Sequence, residues 1–271
     1  MIFIILLKLS CCIFMALLFA ISLLYIPIGY LISIFSAKWS IKITTVFSYF
    51  LWEICGWIFK LSFDIKKINK LDKKKLIIVS NHVGAIDFMI LNFIFKTNGN
   101  MKYLIKSEMK WVPIFYQVVD LLKFIAVSRN YKKDKDRIKK RIDLLLKSDI
   151  PVIVVIFPEG TRINKENLTR SIIFCKNRDL PVLSNVLYPR LNGFNLIYEI
   201  LKKENFYIAD FTFTHIKKPL SLWEVLFTSK RGEIKYDLRF INILDIKNPR
   251  KWMEDCFVRK DRIIENLKNG E

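Results

Sequence analysis

Residues 76–87, LIIVSNHVGAID, join a continuous apolar run to a histidine and an aspartate. An apolar run of this length without alternation predicts a strand that is covered on both faces, as in a parallel sheet. In open α/β sheets, the chemistry lies just past the carboxyl ends of the strands. We therefore expect a functional site at the polar residues that follow Ser80.

The rest of the chain after residue 75 alternates between short apolar runs and longer amphipathic ones. This alternation predicts an α/β domain with a largely parallel central sheet flanked by helices. The predicted strands are 76–80, 103–105, 123–127, 151–157, 181–187 and 206–214, and the predicted helices are 86–96, 107–122, 134–147 and 166–178.

The spacing of His82 and Asp87 indicates how they can meet. On one continuous helix, five residues would place them about 140° apart, on faces that do not touch. We therefore predict that His82 lies in a turn and that Asp87, in the first turn of the next helix, accepts its Nδ1 proton. This leaves Nε2 available as a general base. The pair alone is also compatible with a histidine that is merely bonded in a turn.

No residue near this pair is an obvious enzyme nucleophile. Ser80 directly precedes Asn81, and the chain has no G-x-S-x-G sequence. A base without an enzyme nucleophile should activate a hydroxyl of the substrate, so we predict direct group transfer.

The sequence FPEGTR, residues 157–162, follows the most apolar predicted strand. Arg162, Thr161 and the backbone around Gly160 are suited to bind a phosphate. The carboxylate of Glu159 would repel phosphate, so we expect it to hold Arg162 or a loop amide. A surface turn with a Glu/Arg ion pair is the alternative.

The chain is both apolar and basic, with 52% hydrophobic residues and a formal net charge of +20. This combination favours a membrane surface with anionic lipid, and nucleic acid is the competing partner. No cysteine pattern with the spacing of a metal site exists.

The apolar residues are concentrated in the amino-terminal part of the chain. Residues 9–37 contain no charged residue and are too long for the core of a secretory signal, so we predict a retained membrane anchor, kinked or ended near Pro27. A second apolar stretch, 43–63, contains Glu53 and could be a second span or an interfacial helix. A buried core helix is the remaining alternative. We predict an anchor of one or two helices over 1–63 and a catalytic domain over 70–271.

With a single span, Lys38 and Lys42 outnumber Lys8, which favours a cytosolic position for the rest of the chain.

Together, Asn81-His82-x4-Asp87 and Phe157 to Arg162 resemble the lysophospholipid acyltransferase family, typified by 1-acyl-glycerol-3-phosphate acyltransferase. Phe124 to Arg129 resembles the family's acceptor-binding strand, without its usual opening glycine, and Val182 to Arg190 resembles its last block. The local details are most similar to the branch of the lysocardiolipin acyltransferases and their lysophosphatidate relatives.

The resemblance implies that His82 and Asp87 are catalytic and that Arg129 and Arg162 hold the phosphate of the acceptor. The remaining candidates for substrate binding are Asn81, Glu159, Gly160 and Thr161.

The implied reaction transfers a fatty acyl group from acyl-CoA, a co-substrate, to a free hydroxyl of a lysophospholipid. No cofactor, metal or nucleic acid is expected. The expected acceptor is 1-acyl-sn-glycerol 3-phosphate, giving phosphatidic acid, with lysocardiolipin or another lysophospholipid as the alternative. The expected location is the endoplasmic reticulum membrane. A hypothesis from another class is a non-enzymatic, membrane-anchored tether for nucleic acid or lipid.

Overall fold

A computed structural model describes residues 2–64, 75–95, 101–112, 115–128, 131–148 and 150–270. The helices in these ranges are α1 (Ile2–Phe35), α2 (Ala37–Ser62), α3 (Asp87–Phe95), α4 (Phe115–Leu121), α5 (Tyr131–Leu146), α6 (Lys165–Lys176), α7 (Leu191–Leu201), α8 (Leu222–Phe227) and α9 (Pro249–Asn269). The strands are β1 (Phe63–Asp64), β2 (Lys75–Ser80), β3 (Met101–Lys106), β4 (Ile125–Val127), β5 (Val152–Ile156), β6 (Tyr207–His215) and β7 (Gly232–Asn242).

The chain divides into two compact units. The helical unit comprises residues 1–74, 88–154 and 220–231, and the site unit comprises residues 75–87, 155–219 and 232–271.

In the helical unit, α1 and α2 pack against each other and both contact α8. The Ser62 hydroxyl at the end of α2 donates to the Val225 carbonyl at 3.1 Å. The unit also contains the parallel pair β3 and β4, in the register Leu104 opposite Ile125. Short apolar strands of this kind are expected where both faces of a sheet are covered.

In the site unit, β6 lies beside β2 in parallel and beside β7 in antiparallel orientation. The register places Ser80, the last residue of β2, opposite Phe211 of β6. Leu76 to Val79 are all fully buried, as their continuous apolar sequence predicts. Helix α9 packs on β6 and on α7. Parallel strand pairs and intervening helices confirm the predicted α/β class.

The amino-terminal apolar segment is helical, and α1 continues through Pro27 to Phe35, so the helix does not end near Pro27; the alternative prediction, a kink at Pro27, stays a prediction. Within the described ranges, one segment, Ile2–Ile21, is long and apolar enough to cross a membrane, and little of it is buried. The second apolar stretch lies inside α2, which contains Glu53, except for its last residue, Phe63, which begins β1. The boundary between anchor and catalytic domain stays a prediction, as does the number of spans.

Two predicted elements differ from the structure. Residues 107–122 form a 3₁₀ turn at Ser107–Trp111 followed by α4, rather than one helix. Residues 181–187 form no strand. In that segment the amides of Ser184 and Asn185 donate to the Asp261 carboxylate, at 2.9 and 2.6 Å, so side-chain acceptors replace a strand ladder. Sequence patterning also missed α7, α8 and β7.

Candidate active site

His82 and Asp87 form the contact that their spacing predicts. Nδ1 of His82 lies 2.7 Å from Oδ2 of Asp87, and α3 begins at Asp87. An ionised carboxylate accepts hydrogen bonds only, so Nδ1 carries the proton and Nε2 is left as the basic nitrogen. The His82 side chain is 24% exposed, whereas that of Asp87 is 1% exposed. A substrate can therefore reach the imidazole while the carboxylate stays buried.

The backbone around His82 fixes the position of Asp87. The amide of Val83 donates to Oδ2 at 2.7 Å, and the amide of Gly84 donates to Oδ1 at 2.8 Å. Three donors thus converge on one carboxylate, and a buried carboxylate needs such partners. The orientation of the imidazole is set by local geometry before any substrate binds.

Glu159 connects the FPEGTR loop to the histidine turn. Its Oε2 accepts from the His82 amide at 2.5 Å, and its Oε1 accepts from the Leu187 amide at 2.9 Å. Burial raises the pKa of Glu159 to about 8, although the two amides lower it. Glu159 holds loop amides, one of the two architectural parts expected for it, and is 3% exposed.

Asn81 and Phe157 support the same turn. The Asn81 amide nitrogen donates to the Phe213 carbonyl at 2.9 Å, and its oxygen accepts from the Phe213 amide at 3.0 Å. The Asn81 side chain is buried and holds the turn, and its part in substrate binding stays a prediction. The Phe157 ring stacks on the imidazole with a centroid distance of 4.4 Å.

The FPEGTR loop turns sharply at Gly160, whose φ of +67° lies in the left-handed region that glycine tolerates. Thr161 is half-buried and Arg162 is exposed. The Ile163 amide donates to the His82 carbonyl at 2.9 Å, which joins the end of the loop to the histidine turn. The loop therefore presents Thr161 and Arg162 beside His82.

Ser80 cannot act as a nucleophile in this arrangement. It is fully buried, and its hydroxyl donates to the Asn81 carbonyl at 3.0 Å. Among the residues that the structure describes, no serine, threonine or cysteine side chain bonds to the His82 imidazole. Direct transfer to a substrate hydroxyl stays a prediction.

A buried charged cluster that the sequence reasoning missed lies below the turn. The Lys260 ammonium of α9 donates to Asp210 Oδ1 at 2.5 Å, to the Phe211 carbonyl at 2.7 Å and to the Val79 carbonyl at 3.2 Å. Arg259 pairs with the other oxygen of Asp210. Lys260 thus ties α9 to β6 and to β2 one residue before Ser80.

Arg129, the other predicted phosphate ligand, lies outside the described residues. Of the predicted site residues, the structure brings together His82, Asp87 and the FPEGTR loop. Within the described ranges, no group of three or more His, Cys, Asp or Glu residues could hold a metal ion.

Comparison with known proteins shows which protein family the chain is similar to. The sequence model of the acyltransferase family matches residues 62–177, which include the His82 turn and the FPEGTR loop. This part of the chain is therefore similar to the acyltransferase family. Its relatives include the lysophosphatidate and lysocardiolipin acyltransferases, and its resemblance to this branch is confirmed.

Two relatives and one solved structure illustrate the similarity. The chain is 26% identical over 251 residues, 86% of its length, to a probable 1-acyl-sn-glycerol-3-phosphate acyltransferase 5 of Arabidopsis thaliana, of which it covers 65%. It is 31% identical over 138 residues, 48% of its length, to lysocardiolipin acyltransferase 1 of Mus musculus, of which it covers 35%. The chain thus spans less than two thirds of either relative.

The crystal structure of the 1-acyl-sn-glycerophosphate acyltransferase PlsC from Thermotoga maritima has the same fold. It aligns with a TM-score of 0.51 and 14% sequence identity, over 96% of this chain and 98% of that one. At this identity the similarity concerns the fold alone.

Proposed function

We propose that the protein transfers a fatty acyl group from acyl-CoA to the free hydroxyl of a lysophospholipid, with 1-acyl-sn-glycerol 3-phosphate as the acceptor and phosphatidic acid as the product. The observation that carries the proposal is the bond from the His82 amide to Glu159, because it joins a base to a phosphate-binding loop. An acceptor with a hydroxyl near a phosphate fits this site, because its hydroxyl can face the base while its phosphate lies at the loop.

In the proposed reaction, Nε2 of His82 removes the proton of the acceptor hydroxyl as its oxygen attacks the thioester carbonyl. The carbon–sulfur bond breaks, and the imidazolium returns the proton to the departing CoA thiolate. Asp87 keeps the imidazole in one tautomer and stabilises its positive charge. General base catalysis of this kind contributes about 10²–10⁴ in rate.

The acceptor phosphate is bound by Arg162, Thr161 and the backbone at Gly160, together with Arg129 as the family resemblance implies. A guanidinium pairs with phosphate through two parallel hydrogen bonds, which orients the glycerol hydroxyl towards the base. No step in this scheme requires a metal or a cofactor.

We further propose that the protein is integral to the endoplasmic reticulum membrane, with the catalytic domain facing the cytosol. Segment Ile2–Ile21 is long enough to span. The net charge of +20 would attract anionic lipid and the phosphates of CoA.

Lysocardiolipin is the second candidate acceptor. The observation in its favour is the similarity to lysocardiolipin acyltransferase 1 of Mus musculus. Both acceptors offer a hydroxyl and a phosphate, so the chemistry at His82 is the same for each.

The test is an acceptor panel with radiolabelled oleoyl-CoA and full-length protein in detergent micelles. We expect labelled phosphatidic acid from lysophosphatidate, with release of one CoA thiol for each acyl chain transferred. His82→Ala should abolish this product, whereas Asp245→Asn, which alters an exposed side chain, should not.

Other results would contradict the proposal in distinct ways. Faster acylation of lysocardiolipin would replace the acceptor but keep the reaction. Full activity of a folded His82→Ala protein would exclude the mechanism. Salt-sensitive binding of nucleic acid without thioester consumption would favour the tether hypothesis.

A further inference from the structure

Arg190 lies directly over the glycine of the FPEGTR loop. A Cβ atom added at Gly160 would meet the Arg190 side chain, at 3.0 Å from Cδ and Nε and at 3.2 Å from Cζ. The guanidinium end of Arg190 therefore packs on the backbone of the loop that also carries Arg162. In the chain the two arginines are 28 positions apart, so only the fold brings Arg190 to this loop.

Three hydrogen bonds fix the segment that carries Arg190. The Arg190 amide donates to the Pro158 carbonyl at 2.8 Å, and the Tyr188 amide donates to the Ser171 hydroxyl at 2.9 Å. The Leu187 amide donates to Glu159, as described above. The backbone of residues 187–190 is thus attached to the FPEGTR loop and to α6.

Arg190 immediately precedes α7, and the residue is exposed beside the FPEGTR loop. Arg162 follows Gly160 by two residues, at most about 7 Å of extended backbone.

We propose that Arg190 is a second guanidinium ligand for the phosphate of the acceptor and that it favours phosphate monoesters over diesters. The inference rests on the proposed function and deepens it by naming the substrate class. A phosphate monoester carries a charge of about −1.5 to −2 near neutral pH, whereas a diester carries a single charge. A second cation therefore stabilises a bound monoester more than a bound diester.

The test compares acceptors that share a monoacylglycerol and differ in the phosphate group attached to it. Wild type, Arg190→Gln and Arg190→Lys are assayed with oleoyl-CoA and one of three acceptors. Lysophosphatidate is a phosphate monoester, lysophosphatidylglycerol is a phosphate diester, and monooleoylglycerol has no phosphate. For Arg190→Gln we expect the KM for lysophosphatidate to rise about 10-fold, with kcat within about twofold of wild type. The KM for monooleoylglycerol should not change.

Arg190→Lys should recover part of the affinity, because it keeps the charge but loses the planar fork. The control is Arg239→Gln, which removes a half-exposed arginine that pairs with Asp237 on β7. An equal loss of activity on all three acceptors, or an unchanged KM for lysophosphatidate, would overturn the inference.

A binding measurement keeps the inference independent of turnover. Lysophosphatidate in mixed micelles, without acyl-CoA, is titrated into the full-length protein while the thermal unfolding temperature is recorded. We expect Arg190→Gln to need about 10-fold more lysophosphatidate for the same shift, and identical titrations would overturn the inference. Wild type that binds lysophosphatidate but acylates no lysolipid would instead refute the proposed function alone.

Discussion

His82 and Asp87 are bonded through Nδ1 and Oδ2 at 2.7 Å, five residues apart across the turn that links β2 to α3. The same carboxylate receives the amides of Val83 and Gly84. One short turn therefore builds both the base and the group that orients it. Substitutions in this turn can test whether Asp87 orients the imidazole of His82.

We predict that Asp87→Asn lowers kcat by about 10²–10⁴ while the protein remains folded. The asparagine side chain has one acceptor oxygen in place of two, so it cannot receive all three N–H donors and no longer holds the Nδ1 tautomer. The measurement is the initial rate of acyl transfer, with circular dichroism to verify the fold. Asp245→Asn is the matched control, and a rate within twofold of wild type for Asp87→Asn would refute the orienting role.

Glu159→Gln should reduce both activity and stability. A glutamine amide accepts through its oxygen but donates through its nitrogen, so either the His82 or the Leu187 amide would face another donor. An unsatisfied buried donor costs about 1–3 kcal/mol. Chemical denaturation and initial rates at pH 6 measure the two effects. Unchanged values for both would show that Glu159 does not position the turn.

The wild type should also carry a pH signature of Glu159 that the variant lacks. Its pKa is raised by burial to about 8, above the ordinary value of 4.5, so the folded state binds more protons than the unfolded state between these values. The free energy of unfolding should then decrease as pH rises from 4.5 to 8. The wild type should lose its advantage over Glu159→Gln across this window.

The histidine turn was predictable because its partners are neighbours in sequence. An uninterrupted apolar run predicts β2, and the geometry of a helix excludes a contact between His82 and Asp87 unless His82 lies before the helix. The fold class followed in the same way from the alternation of apolar runs. Both inferences depend on local periodicity alone.

The supports of the site were not predictable because they join distant segments. Glu159 bonds to an amide 77 positions away, and Arg190 reaches Gly160 only through the fold. One signal was present: Met253, Cys256, Phe257 and Ile264 form the buried stripe of α9, and Lys260 lies on it. A lysine on an otherwise apolar helix face indicates a buried partner, which is Asp210.

Gly160→Ala should be destabilising and should weaken acceptor binding. The positive φ costs about 1–2 kcal/mol for a residue with a Cβ, and that Cβ would displace the Arg190 side chain. The matched control is Gly193→Ala, within α7, where a Cβ meets nothing within 4 Å and should stabilise by up to about 1 kcal/mol. Thermal unfolding and the KM for lysophosphatidate are measured for both. A lower KM for Gly160→Ala would contradict the position of Arg190.

Lys260→Met should destabilise the protein by about 1–3 kcal/mol, because it removes one of the two cations that pair with the buried Asp210 carboxylate. Burial alone would raise the pKa of Asp210, but Lys260 and Arg259 hold it below its ordinary value. Lys251→Met, at an exposed position on the same helix, is the control for chemical denaturation. The double variant Lys260→Met/Asp210→Asn should recover part of the loss. No recovery would mean that Lys260 acts through packing rather than through charge.

In the helical unit, Lys102 lies on β3 and is fully buried, and its ammonium has no hydrogen-bond partner among the described residues. Burial, with a smaller contribution from Lys123, lowers the pKa of Lys102 to about 7. Between this value and 10.5, the unfolded state binds more protons than the folded state. The stability of the wild type should therefore increase as pH rises from 7 towards 10.

Lys102→Met removes this penalty and should stabilise the protein at pH 7 by about 1–4 kcal/mol, because methionine fills a similar volume without a charge. Its advantage over wild type should shrink as pH rises, since the wild-type lysine becomes neutral in the unfolded state as well. Denaturation at pH 7 and pH 9.5 measures both effects, with Lys139→Met on the exposed face of α5 as the control. An advantage that grows with pH would show that the Lys102 ammonium is stabilised in the folded protein.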